Sequence, residues 1–265
     1  MLAKQRQALI LDEIRRTGGV RVRELTSKLG VSDMTIRRDL HRLEQAGALE
    51  KVHGGAVLDR PADVRRAPVV DEPSFDAKAR LHQDAKQAIA ARAAVLVRPG
   101  TAIAVSAGTT TWAMVEHLAE IPDLTIVTNS ITVAESVAAL GDTTKRTVIL
   151  TGGVRTPSAA LVGPVADLTI RSLNVDRLFI GTFGIDMDAG LTSPNLAEAD
   201  TNRALIAQAR HVVVLADSTK WRTVGLASWA SLDDADLLIT DDGMSPDARE
   251  QLTEVGLDVV TVPTG

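Results

Sequence analysis

Two groups of residues, far apart in the chain, have the types and spacing to do chemistry. Near the N-terminus, Arg37-Arg38 and His41-Arg42 are interleaved with Ile36, Leu40 and Leu43. At 100° per residue the three apolar side chains share one helix face. Met34, Arg38, His41 and Arg42 fall opposite, with Thr35 and Arg37 at the flanks. Arginine's forked donors match guanine O6/N7 or a phosphate. A helix anchored on one face and carrying donors on the other suits the major groove of a duplex, although a solvated face on a helical bundle also carries arginine pairs. The second group is a series of polar loops. Ser106-Ala107-Gly108-Thr109-Thr110-Thr111 offers close backbone approach, N–H groups and hydroxyls, which suit a phosphate; Thr110 or Thr111 serving as a plain helix cap reads the same way. Thr128-Asn129-Ser130, Gly152-Gly153 with Arg155, the run Gly181 to Asp186, and Asp217-Ser218-Thr219-Lys220 add further polar groups. Lys220 and Arg155 supply cations for an anion, while Asn129 and Asp217 suit hydroxyls. Taken alone, Asp217 with Lys220 equally suits a surface ion pair.

The elements that must position the first group read as a winged helix-turn-helix. Residues 4–16 carry Ile10, Leu11 and Ile14 at helical spacing before Gly18-Gly19, and a short second helix holds Leu25 and Leu29 before Gly30. Ser32 suits the N-cap of a third helix over 33–45, which Gly47 closes. A hairpin follows, Leu49 to His53, then Gly54-Gly55, then Ala56-Val57. Its two glycines permit a tight reversal, and Lys51 and His53 can reach a phosphate from the flank; His53 equally suits packing. Three prolines, Pro61, Pro68 and Pro73, mark residues 58–74 as a linker.

Beyond it, a long helix over 76–97 leads into apolar, β-branched runs at 101–105, 124–128, 147–150, 177–180, 212–216, 237–240 and 257–262. Helices are expected between most of them, at 112–119, 131–140, 164–172, 196–209 and 245–255. Alternation of this kind predicts an α/β domain over 75–265 with a largely parallel sheet covered on both faces. Ligands bind such sheets outside the carboxyl ends of the strands, where five of the polar loops above fall. A polar pocket is expected there.

Composition narrows the function classes. The 265 residues contain no cysteine, which excludes a disulfide scaffold, a thiol nucleophile and a Cys-ligated zinc site. The five histidines are scattered, so no metal is expected, and neither a Walker loop nor a dinucleotide fingerprint is present, so no cofactor is expected. No run approaches the roughly 18 apolar residues of a membrane span, and no secretory leader is read at the start; a soluble, cytoplasmic protein is expected. Residues 1–60 hold 12 Lys+Arg against 8 Asp+Glu, net +4, whereas the remaining 205 hold 17 against 26, net −9. A basic head on an acidic body is a charge distribution that suits nucleic-acid contact through the head.

Gly30-Val31-Ser32, Thr35-Ile36-Arg37-Arg38-Asp39-Leu40, Leu43, Gly47 and Val52-His53-Gly54-Gly55-Ala56 together resemble the signature of the DeoR family of bacterial transcriptional regulators. Gly108-Thr109-Thr110, the run Leu124 to Asn129, Gly152-Gly153, Gly163, Gly184-Ile185-Asp186, Ala216 to Lys220 and Ile239-Thr240-Asp241 resemble the sensor domain of that family. The resemblance implies a winged helix-turn-helix over 1–57, linked to a sensor domain similar in fold to sugar-phosphate isomerases. It further implies operator DNA as partner, a phosphorylated sugar or polyol as effector, and a homo-oligomer, dimer or tetramer. The family's Asp-x-x-Lys pair carries over to Asp217 and Lys220, and Glu198 matches an acidic position on the next helix. Three departures stand out. Arg21 replaces a capping Ser or Thr, so the second helix is expected to start frayed; Glu50 sits where the wing is often basic; and Ser106 replaces an Asp before the Ala-Gly-Thr-Thr turn. Two functions are therefore weighed: a sugar-phosphate-responsive repressor, and an isomerase or deaminase using Lys220, Asp217 and Glu198 as acid and base. The DNA-reading head and the loss of a carboxylate at Ser106 favour the repressor.

Overall fold

The computed structural model describes residues 6, 7, 9–11, 13, 14, 19–45, 49–52, 55–57, 69, 74–141 and 145–264. The chain divides into two compact units, 1–65 and 66–265. Apart from Val69 and Ser74, the expected linker over 58–74 lies outside the described residues, as does His53. Among the described residues no helix is long and apolar enough to cross a membrane.

In the first unit β1 (Gly19–Arg21), β2 (Glu50–Val52) and β3 (Gly55–Val57) form an antiparallel sheet in the order β1-β3-β2. Helices α1 (Val22–Leu29) and α2 (Asp33–Gln45) pack on each other, and the described residues of 6–14 are helical. Ile10, Ile14, Leu25, Ile36, Leu40 and Leu49 are buried together. Gly30 ends α1 in the left-handed region at φ 64°, its N–H donating to the Thr26 carbonyl at 3.0 Å. Arg21 closes β1 and stands at the N-cap of α1 without a side-chain oxygen to accept from the first-turn N–H groups, while its own backbone N–H donates to the Glu24 carboxylate at 3.3 Å. Gly55 is required less by the reversal than by close approach, since a Cβ there would meet the Val20 carbonyl oxygen at 2.1 Å. Lys51 lies on β2.

In the second unit β4 (Ala102–Val105), β5 (Leu124–Thr128), β6 (Arg146–Leu150), β9 (Val175–Gly181), β12 (Ala209–Leu215), β14 (Leu237–Asp241) and β15 (Asp258–Val262) form one sheet. Its order is β15-β14-β12-β9-β4-β5-β6 and every pairing is parallel. Alternate residues enter opposite cores, as the two-residue period requires: Leu178, Ile180, Val212 and Val214 on one face, Phe179, Val213, Leu215 and Ile239 on the other. Burial on both faces explains why the strands read as continuous apolar runs.

Helices cover the two faces: α3 (Phe75–Ala79), α4 (Gln83–Ala94), α5 (Thr109–Ala113), α6 (Ile131–Ala139), α7 (Pro164–Arg171), α8 (Leu196–Ile206) and α9 (Pro246–Glu254). The expected helix over 112–119 instead starts at Thr109 as α5 and continues as a 3-10 turn, Met114–Leu118.

Two further departures matter for the site. The expected helix over 76–97 is broken into α3 and α4, with His82 left-handed at φ 52°. The Lys86 ammonium donates to the Lys78 carbonyl, the acceptor that a continuous helix would have given to the His82 N–H. The second is an antiparallel sheet absent from the sequence reading, formed by β10 (Gly184–Asp186), β11 (Gly190–Ser193) and β13 (Ala227–Ala230), besides a small β7–β8 pair (Val154–Arg155, Leu161–Val162).

Asp39, 1% exposed, ties the head together by accepting from Arg6 Nε and, at 3.1 Å, from Gln7 Nε2. Asp39→Ala leaves the largely buried Arg6 guanidinium without this acceptor and is expected to cost about 2–4 kcal/mol. Urea unfolding followed by circular dichroism checks this; an unchanged profile contradicts it.

Candidate functional site

In the head, α2 is capped by Ser32, whose Oγ accepts from the Thr35 N–H at 3.3 Å and lies 2.9 Å from the Thr35 hydroxyl. Ile36, Leu40 and Leu43 are buried, whereas Met34, Arg37, Arg38, His41 and Arg42 are exposed. Arg37 pairs with Asp33 one turn earlier at 2.7 Å, which fixes its guanidinium along the helix flank. Arg38 makes no ion pair among the described residues and shares its face with Arg42. The α2 surface therefore offers cationic donors around an exposed Met34, 72% accessible, on the side away from the core.

In the second unit the chain runs from β4 through β5 to β6 on one side, and from β9 through β12, β14 and β15 on the other. Connections therefore diverge between β4 and β9, and a crevice opens at the carboxyl ends of those strands. A cleft lies there. Of the sequence-derived residues, Gly108, Thr109, Thr110, Asn129, Glu198, Asp217 and Lys220 line it.

Several of these groups are already engaged. Asn129, 2% exposed, accepts from the Ala107 N–H at 2.9 Å through Oδ1 and donates to the Leu161 carbonyl at 3.2 Å, so it shapes the turn. Asp217 Oδ1 accepts from the Thr219 N–H at 3.2 Å and from its hydroxyl. The adjoining Ser218 is held by Asp241, at 2.6 Å to its N–H and 2.8 Å to its hydroxyl. Glu198 Oε1 accepts from the hydroxyls of Thr156, at 2.8 Å, and Ser158. Gly108, at φ 155°, leads into α5, where a Cβ would meet the Thr111 hydroxyl at 3.1 Å.

The other sequence-derived residues lie elsewhere. Ser106 is 2% exposed and joins β4 to β9, its N–H donating to the Phe179 carbonyl at 2.9 Å and its Oγ accepting from the Gly181 N–H at 3.2 Å. The Thr111 hydroxyl donates to the carbonyls of Ser106 and Gly108, at 2.8 and 3.0 Å. Gly152, Gly153 and Arg155 follow the edge strand β6 and do not line the cleft; a Cβ at Gly153 would meet the Val162 carbonyl oxygen at 2.5 Å. Asp186 closes the β10–β11 turn through the N–H groups of Asp188 and Ala189.

The sequence reading missed the cationic wall. Lys78, His82 and Lys86 enter from α3, α4 and the bend between them. Lys86 is only 6% exposed. Burial pushes its ammonium below the ordinary lysine range; Asp217 opposes that shift, while Lys220 and Lys78 add to it. A signal was present: Lys86 shares a helix face with Ile89, Ala90 and Ala93, where an apolar residue is ordinary. Thr192, Ser193, Asn202 and Trp229, also missed, reach the cleft from β11, α8 and β13.

Comparisons with known proteins agree with the two-unit architecture. Residues 6–62 match the model of the DeoR-like helix-turn-helix domain, and residues 81–242 that of the DeoR C terminal sensor domain. The chain is 36% identical over 263 residues to the uncharacterized HTH-type transcriptional regulator YgbI of Escherichia coli strain K12, covering 98% of each chain. It is 32% identical over 244 residues to the transcriptional repressor AccR of Agrobacterium fabrum, covering 91% of this chain and 90% of that one. Among solved structures it is similar to ribose 5-phosphate isomerase A of Methanocaldococcus jannaschii, at 16% identity and a TM-score of 0.38, over 52% of this chain and 54% of that one. That last likeness is too distant to bear on function.

Because burial lowers Lys86, the folded chain releases this proton at lower pH than the unfolded chain, whose reference value is 10.5. Between the lowered value and 10.5 the unfolded state holds more protons, so stability gains with rising pH. Lys86→Met is expected to lack that gain and, at neutral pH, to unfold at no lower urea concentration than the native chain. Urea midpoints at neutral and alkaline pH check both points, and an identical alkaline gain in the variant contradicts them.

Proposed function

The chain belongs to the DeoR family of DNA-binding transcriptional regulators, is not an enzyme, and from that premise we propose that it is a repressor of a sugar or polyol catabolic operon whose hold on operator DNA is altered by a phosphorylated sugar. The observation that carries this reading is the cleft at the β4–β9 switch point. Three lysines, Lys78, Lys86 and Lys220, converge there in a unit whose net charge is negative. Holding three like charges together in one cleft costs mutual repulsion, which a dianionic phosphate offsets. The Gly108–Thr110 turn offers backbone N–H groups and hydroxyls beside them, and Glu198 provides an acceptor for a sugar hydroxyl.

In the head, Ser32, Thr35, Arg37, Arg38, His41 and Arg42 form the surface that enters the major groove, with Lys51 and His53 contributing from the wing. One such helix spans few base pairs, so two copies engage two half-sites, and a homo-oligomer follows. The similarity to AccR, a transcriptional repressor, supports the sign of the regulation.

The direct test is gel retardation of duplex fragments from around the chain's own coding region, at several salt concentrations, with and without a panel of phosphorylated sugars. Retention that falls with salt and shifts with one phosphorylated sugar supports the reading; no salt-dependent retention sinks it. Arg38→Ala is expected to weaken operator binding by roughly 1–3 kcal/mol with relaxed sequence preference, and an unchanged footprint excludes the docking. Lys220→Ala is expected to retain DNA binding and lose the response to the sugar. A variant that responds at the wild-type concentration removes Lys220 from the site.

A further inference from the structure

Trp229, on the β13 and α8 side of the cleft, carries a polar group that nothing among the described residues uses. Trp229, on β13, sits where the β11–β13 register slips between Leu191 and Thr192, is 3% exposed, and lines the cleft. Its indole Nε1 is buried and finds no acceptor among the described residues. An indole N–H can only donate, and leaving a donor buried and unmet costs free energy. Such a group asks for an acceptor from outside the chain.

The chemistry of the same wall narrows what that acceptor is. Helix α8 packs against β13 and presents Glu198 and Asn202, one turn apart, to the cleft. A carboxylate on this wall repels a phosphate, which the lysines of α3, α4 and the β12 loop attract instead. A hydroxyl fits: it accepts from the indole while donating to a carboxylate or an amide oxygen.

We propose that Trp229 Nε1 donates to a hydroxyl or carbonyl oxygen at the end of the ligand remote from its phosphate, which makes Trp229 a specificity-determining residue of the cleft. The inference rests on the phosphorylated-sugar reading above and deepens it. The lysine wall holds the anion that all candidate ligands share, and the Trp229 wall tells them apart.

Trp112 and Trp221 are the other two tryptophans, and neither lines the cleft. Replacing both with Phe leaves Trp229 as the sole indole. The probes are inorganic phosphate, glycerol 3-phosphate, ribose 5-phosphate, glucose 6-phosphate, fructose 1-phosphate and fructose 6-phosphate, each titrated by calorimetry against the native chain. A phosphorylated sugar that binds is expected to change the Trp229 emission at saturation, whereas inorganic phosphate leaves it nearly unchanged. Trp229→Phe is expected to weaken that sugar by about three- to tenfold while holding phosphate affinity within about twofold. Equal sugar affinity in Trp229→Phe, equal losses for sugar and phosphate, or unchanged emission on saturation each overturn the assignment yet leave the phosphorylated-sugar reading standing. Should Trp229→Phe fail to fold, the emission of the Trp112→Phe/Trp221→Phe chain decides. If no probe binds the native chain, both readings fall.

Discussion

The junction between β4 and β9 is the constraint on which the site depends. Two neighbouring parallel strands whose chains depart toward opposite edges leave a crevice that no crossover fills. Ser106 holds the junction closed below the cleft by bonding to both Phe179 and Gly181. The Thr111 hydroxyl then pins the turn from above. A carboxylate in place of Ser106 would accept from Gly181 as the hydroxyl does, but would bring a negative charge to a nearly sealed position. The serine keeps the stitch without that charge, so the polarity of the cleft is set by the residues around its rim.

Those rim residues create an electrostatic tension. Lys86 keeps its ammonium in a buried site where desolvation disfavours the charge, and Lys220 and Lys78 add to the difficulty. Partial relief comes from Asp217 and from the Lys78 carbonyl, which becomes available because α3 and α4 are separate helices. The helix break, the left-handed His82 and the buried ammonium are thus parts of one arrangement. It leaves the cleft with excess positive character in an otherwise acidic unit, the condition under which an anion is attracted and held.

The head solves a different problem. A reading helix must be immobilised on one side while its other side stays hydrated. Ile36, Leu40 and Leu43 supply the apolar anchor, and Asp39 adds a polar clamp to the first helical segment. Asp39 therefore belongs to the scaffold although it sits within the arginine-rich run, and Arg37, bound to Asp33, is more constrained than Arg38.

Periodicity alone determined much of this protein. The 3.6-residue spacing in 33–45 specified which face of the reading helix is buried, and seven apolar runs specified a parallel sheet with two covered faces, because both signals are local. The loops at strand ends were equally legible as polar, and those after β4, β5, β9 and β12 do meet at the cleft. Tertiary structure decided which loops meet: strand order places β6 at an edge, so Gly152, Gly153 and Arg155 are carried away, while the following hairpin returns Ser158. It also decided the roles of Ser106 and Asn129, whose polar atoms are taken by backbone groups remote in sequence. Lys86 and Trp229 became site residues for the same reason. Beyond the nearby Lys78 carbonyl, the charges that surround the buried Lys86 ammonium, Asp217 and Lys220, and the groups around the Trp229 indole come from segments tens to more than a hundred residues away, and no local pattern encodes that meeting.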